Sequence, residues 1–296
     1  MVSEGSHIIE IDGGFHVWTR KIGDSPIKVL LVHGGPGMSH EYFEPFEDVL
    51  PPKGMEIYFY DQLGSYFSDQ PDDPDLWTID RFCKEIETVR IKLGLDQFYL
   101  LGQSWGGILG LEYGFRYGKA LKGLIISNMV DNMDDYASYI GTLREQLPEE
   151  DVKKMKAYEA KEEFDASEYQ ALCLKLYEKC ICRKVPWPDA VNRTFQHLNE
   201  QVYTTLQGPN EFTITGSLGN WNVRQQLPTL TMPTLLMGAK YDSMNPKVIK
   251  KMGELVPHSR VFICPNGSHF SMWDDPNHYF PEIIKFINDI KQGKTI

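Results

Sequence analysis

The chain has 296 residues, 42% of them hydrophobic and 12% aromatic, which is enough for one large packed core carrying an insertion and far from the composition of disordered proteins. Its formal net charge of -11 excludes partners that need a basic patch, nucleic acid and anionic membranes among them. No stretch is long and apolar enough to span a bilayer, and residues 1–7 lack the basic-then-apolar pattern of an export signal, so a soluble cytoplasmic protein is expected.

In chain order, residues 7–11 and 15–20 flank Asp12-Gly13-Gly14 and predict a hairpin. Short apolar runs follow at 29–32, 57–60, 98–101, 124–126, 234–237 and 261–263. They lack polar alternation, as expected of strands buried on both faces of a mostly parallel sheet flanked by helices. Ile79, Phe82, Ile86, Val89 and Leu93 recur at helical spacing and end at Gly94, which predicts a sheet-covering helix.

Between 129 and 226 the strand rhythm stops. Tyr169, Leu172, Leu176, Tyr177 and Cys180 mark an amphipathic helix, with Asp165 and Glu168 resembling a capping box at its start. The charged run 149–168 reads as a solvated face. The expected division is a core over 1–128 and 227–296, interrupted by a helical cap over 129–226. Five cysteines (Cys83, Cys173, Cys180, Cys182 and Cys264) at irregular spacings fit reduced thiols. Cys180-Ile181-Cys182 reads as helix residues, and no metal or organic cofactor is signalled.

Gly102-Gln103-Ser104-Trp105-Gly106 follows the run 98–101 directly and precedes a helix expected over 108–117. A serine on a sharp strand-to-helix turn, with glycines where the sheet is crowded, is the nucleophile elbow of the α/β-hydrolase fold. A hydroxyl needs a base to take its proton and an acid to orient that base, in the chain order Ser, acid, His. His269 lies in a loop after the last apolar run and is the expected base. Asp242, in Gly238-Ala239-Lys240-Tyr241-Asp242, is the expected acid, with Asp131 after the run 124–126 as the alternative. His33-Gly34-Gly35-Pro36-Gly37 falls where an oxyanion loop belongs, and the backbone N–H groups of Gly35 and Trp105 are the expected donors. Trp105, Tyr136, Tyr139 and Trp273 are candidates for aromatic lining.

His33-Gly34-Gly35-Pro36-Gly37, Tyr60-Asp61-Gln62-Leu63-Gly64, Gly102-Gln103-Ser104-Trp105-Gly106-Gly107 and Gly208-Pro209-Asn210-Glu211-Phe212 together resemble the proline iminopeptidase family, which includes related amino-acid amidases. The resemblance implies a serine hydrolase that releases an N-terminal residue, often proline, from a small peptide or amide with a free amine. It also implies that Glu211 holds that amine. Many relatives carry a second glutamate directly after the catalytic aspartate, where this chain has Ser243. An ester or lactone hydrolase using the same residues is therefore the alternative, and a ligand-binding protein that keeps the scaffold is a third reading.

Overall fold

The computed structural model describes residues 2–296. Its strands are β1 (Gly5–Glu10), β2 (His16–Ile22), β3 (Lys28–Val32), β4 (Glu56–Tyr60), β5 (Phe98–Gln103), β6 (Leu121–Ser127), β7 (Thr234–Ala239) and β8 (Ser259–Cys264). They form one sheet in the order β1-β2-β4-β3-β5-β6-β7-β8. β2 pairs antiparallel with β1 and with β4, and every other pairing is parallel. The expected hairpin and parallel sheet are both present. β4, β5 and β7 are buried along their whole length, as continuous apolar runs require. β8 differs: as the last strand it has a neighbour on one side only, and residues 259–263 are half-buried.

The helices are α1 (Pro45–Val49), α2 (Ile79–Leu93), α3 (Trp105–Tyr117), α4 (Met133–Arg144), α5 (Glu149–Glu159), α6 (Ser167–Cys180), α7 (Asp189–Gln196), α8 (Glu200–Leu206), α9 (Pro246–Leu255), α10 (Ser271–Asp274) and α11 (Pro276–Lys291). α2 has the predicted limits because both ends are capped. The Thr78 side chain accepts from the Arg81 N–H, and Gly94 takes the left-handed conformation at φ 70°. Its buried stripe of Phe82, Cys83, Ile86, Val89 and Leu93 faces the interior, and the helix packs on α3. α3 lies on β5 and β6, while α11 lies on β6 and β8.

α4 to α8 all fall between β6 and β7 in the chain. α5 keeps most of its charged residues in water, with Met155 alone fully buried, while Asp151 and Glu159 are half-buried and paired with Lys175 and Arg144. Two local expectations fail here. Asp165 does not cap α6, whose first turn follows Ala166 without a side-chain cap. Glu168 is instead taken by Lys154 Nζ at 2.6 Å and the Tyr158 hydroxyl at 2.7 Å, since an ion pair with the neighbouring helix outcompetes a local backbone contact. α6 also stops at Cys180, so Cys182 lies beyond the helix, and both thiols are buried and free.

The parallel strands deliver their carboxyl ends to one edge of the sheet, where an open α/β sheet presents its loops. His33 follows β3, Ser104 follows β5, Asn128 follows β6, Asp242 stands beyond β7 and His269 beyond β8.

Candidate active site

Ser104 sits between β5 and α3 at φ 56°, a backbone conformation that is strained for a residue with a side chain. The turn has no room to relax. A Cβ on Gly102 would collide with the carbonyl of Gly106, and a Cβ on Gly106 with the carbonyl of Val32 in β3. Both glycines of the motif are therefore required by close backbone approach. The Ser104 N–H donates to the Ser127 carbonyl at 3.0 Å, which ties the turn to β6.

His269 is buried, and its Nδ1 lies 2.8 Å from Asp242 Oδ1. With Nδ1 donating to the carboxylate, Nε2 is left as the basic nitrogen. Ser104 and His269 line the same small cavity, of about 20 Å³, and no hydrogen bond joins them in this conformation. Burial pushes the imidazole pKa down, but the charge and hydrogen bond of Asp242, with the charge of Glu211, outweigh it and leave it above the ordinary value of 6.5.

Asp242 is fully buried, and its remaining valence is filled: Asn128 Nδ2 donates to Oδ2 at 2.6 Å and the Met244 N–H to Oδ1 at 3.1 Å. Asp131 is placed elsewhere. It forms a two-pronged pair with Arg224, at 2.9 Å to Nε and 2.8 Å to Nη2, and accepts from Asn132. The two aspartates should therefore respond differently to amidation. Asp242→Asn is expected to lower kcat by about 10⁴-fold through loss of the correct imidazole tautomer. Asp131→Asn is expected to cost about 1–3 kcal/mol in urea unfolding, because it leaves a buried partner of Arg224 uncharged, with kcat little changed.

The glycine loop after β3 abuts the elbow, since a Cβ on Gly34 would come within 2.9 Å of Ser104 Cβ. Gly35 has φ 113°, open only to glycine, and a Cβ there would meet the Met38 nitrogen at 2.6 Å. The Gly34 N–H is already engaged by the Tyr42 hydroxyl at 2.6 Å, which leaves Gly35 as the next donor along the loop. Trp105 opens α3, a position whose N–H has no intrahelical acceptor.

Side chains that sequence reasoning missed hold this loop. The Tyr42 hydroxyl donates to Gln103 Oε1 at 2.8 Å, and Gln103 Nε2 donates to the His269 carbonyl at 3.0 Å, linking glycine loop, elbow and histidine loop. His33 donates from Nδ1 to the Gly34 carbonyl and accepts the Gln62 N–H at Nε2, 3.1 Å away, so its neutral tautomer is fixed. Burial lowers its pKa to about 4. The Trp105 indole donates to Gln62 Oε1 at 2.8 Å. Gln62 and Gln103 lie inside recognisable motifs, whereas Tyr42 carries no local signal.

Glu211 lines two small cavities that meet at Ser104 and Gly35. Desolvation raises its pKa above the ordinary carboxylate value, although His269, Tyr136 and Ser243 pull the other way. The Tyr136 hydroxyl donates to the Glu211 carbonyl at 2.8 Å, which fixes the backbone of this turn. Ser243, directly after Asp242, is fully buried and donates to Glu211 Oε1 at 3.1 Å, so it helps to hold that carboxylate. Trp105 and Tyr136 line the second cavity; Tyr139 and Trp273 line separate surface pockets.

The segment after the glycine loop is fastened to α7 and the turn behind it. Ser39 Oγ bonds Thr194 Oγ1 at 3.0 Å, Arg193 Nε donates to Glu41 Oε1 at 2.8 Å, and His197 Nδ1 lies 2.6 Å from Glu41 Oε2. Arg193 also pairs with Glu44, and the Asn199 N–H donates to the Gly37 carbonyl at 2.9 Å.

Residues 28–276 match the family model for the alpha/beta hydrolase fold, and sheet, elbow and loop together place the chain among the α/β-hydrolases. A proline iminopeptidase of Flavobacterium johnsoniae is 47% identical over 288 residues, covering 96% of this chain and 97% of the relative. The crystal structure of a proline iminopeptidase from Mycobacterium smegmatis superposes with a TM-score of 0.88 at 29% identity, covering 98% of this chain and 99% of that one. The crystal structure of VinJ superposes with a TM-score of 0.92 at 31% identity, covering 97% and 99%. The chain belongs to the proline iminopeptidase family, as its motifs suggested.

Proposed function

We propose that the protein is a serine aminopeptidase that releases an N-terminal proline, or another small apolar residue, from short peptides and amino-acid amides through an acyl-enzyme. The observation that carries this reading is the Glu211 carboxylate, which lines the same cavity as Ser104, Gly35 and His269. Only a substrate with a cation near its scissile carbonyl gains from a carboxylate there, because an unpaired buried charge is costly.

In this mechanism Ser104 Oγ attacks the carbonyl carbon while His269 Nε2 takes its proton. Asp242 holds the imidazole through Nδ1 and stabilises the cation that forms. The N–H groups of Gly35 and Trp105 receive the oxyanion. His269 then gives the proton to the leaving amine, and water, deprotonated by the same nitrogen, releases the acyl residue. We assign that residue to the second cavity, walled by Ile108, Met129, Met133 and Met244, with its amine towards Glu211; at about 20 Å³ in this conformation the cavity must widen to admit it. No step draws on a metal or cofactor. Residues 129–226 act as a cap that confines the substrate to short chains, and intact proteins should not be digested.

The test is hydrolysis of proline anilide, N-acetylproline anilide and a short acyl ester. Cleavage that needs both Ser104 and the free amine supports the aminopeptidase, whereas ester turnover without anilide cleavage supports an ester or lactone hydrolase. The pH profile is a second check. The base must be neutral and its folded pKa lies above 6.5, so kcat/KM should rise with pH through that value. It should fall again as the substrate amine, with a pKa of about 7.7 to 8.0, loses its proton. An optimum below pH 5 would contradict the assignment of His269.

A further inference from the structure

A trough of about 440 Å³ opens between α6, α7 and the turn at Pro209–Asn210. Phe164, Leu174, Tyr177, Trp187, Phe195 and Pro209 supply most of its wall, and none of its lining side chains is charged. That is unusual on a chain with a formal charge of -11. The trough is open to solvent, since Leu174 on its rim is 45% exposed.

Two of its walls, Tyr177 and Phe195, are also walls of the cavity at Ser104 and His269. A line of rings connects the two spaces. Phe270, next to the base, lies 6.4 Å from Phe195 between centroids, and Phe195 stacks on Trp187 at 5.2 Å and 28°. The line therefore starts at the group that must protonate the leaving amine and runs outward.

We propose that this trough is the subsite for the released fragment, and that it takes a large apolar or aromatic side chain from the first or second residue after the cleaved bond. This rests on the aminopeptidase reading and names its substrate class more narrowly. The acyl residue is assigned to the second cavity at Ser104, which shares no wall with the trough, so the trough is left to the other half of the substrate. Aromatic walls without charge favour an aromatic or branched side chain by its apolar area and reject an acidic or basic one by its desolvation cost.

The test measures kcat/KM on Pro-NH2, Pro-Gly-NH2, Pro-Phe-NH2, Pro-Gly-Phe-NH2 and Pro-Asp-NH2. The expected result is about a 10- to 100-fold advantage of a phenylalanine peptide over Pro-Gly-NH2, with Pro-Asp-NH2 slowest. Leu174→Asp and Trp187→Ser are then read as ratios within each variant, so that any loss of overall activity cancels. Both should bring the phenylalanine-to-glycine ratio close to one. Equal rates on glycine and phenylalanine peptides, or a preference that survives both substitutions, would overturn the subsite while Pro-NH2 cleavage left the aminopeptidase intact. Failure to cleave Pro-NH2 or any of the peptides would overturn both.

Discussion

Ser104→Ala is expected to lower kcat on proline anilide by about 10⁶-fold while leaving the far-ultraviolet circular dichroism unchanged. Two features make the loss so large. The hydroxyl is the only atom that can form the acyl-enzyme in the mechanism above, and the strained turn at φ 56° holds it beside the glycine loop. The strain lies in the backbone, so alanine inherits it and the turn keeps its shape. What remains is binding and two backbone donors, which in serine hydrolases leave a residual rate far below that of the intact triad. A loss of less than about 100-fold would mean that another group attacks the carbonyl, and the serine mechanism would have to be abandoned.

Glu211→Gln is expected to have the largest effect on substrate recognition rather than on the chemical step. Removing one partner of a buried charge pair costs about 2–5 kcal/mol, or roughly 30- to 5,000-fold in kcat/KM for a substrate with a protonated amine. Glutamine keeps the volume and the contact with the Ser243 hydroxyl, so a loss would report charge rather than shape. The N-acetylated substrate has no cation to lose. Its slow turnover should stay the same or rise, and the ratio between the two substrates should collapse. A variant that still prefers the free amine by the wild-type margin would transfer amine recognition to another carboxylate.

The legible parts of this molecule were those where one residue type answers one local demand. Gly94 ends α2 because a left-handed cap wants glycine, and Gly102 and Gly106 flank the elbow because no side chain fits against the neighbouring carbonyls. The apolar runs named the parallel strands because burial on both faces removes polar alternation. Asp242 and Asp131 are both loop acids after strands, with Asp242 the expected acid and Asp131 the alternative, and it takes the fold to set one against His269 and the other against Arg224. Tyr42 was illegible for the same reason: its partners Gly34 and Gln103 lie 8 and 61 residues away, and nothing around it in the chain hints at either. The capping box at Asp165 failed because a local pattern met competition from Lys154 and Tyr158 on another helix.

The bonds from Ser39, Glu41 and Gly37 to Thr194, Arg193, His197 and Asn199 make α7 and the glycine loop one mechanical part, which in the proposed mechanism joins the roof over the substrate to the loop bearing an oxyanion donor. A designer who recuts α7 to admit a bulkier substrate will therefore also detune the chemistry a few residues from Gly35. Selectivity and turnover are geared together on that side. On the side of α4 and Met133, which carries no such fastening to the glycine loop among these contacts, the proposed acyl pocket offers the freer handle for changing one without the other.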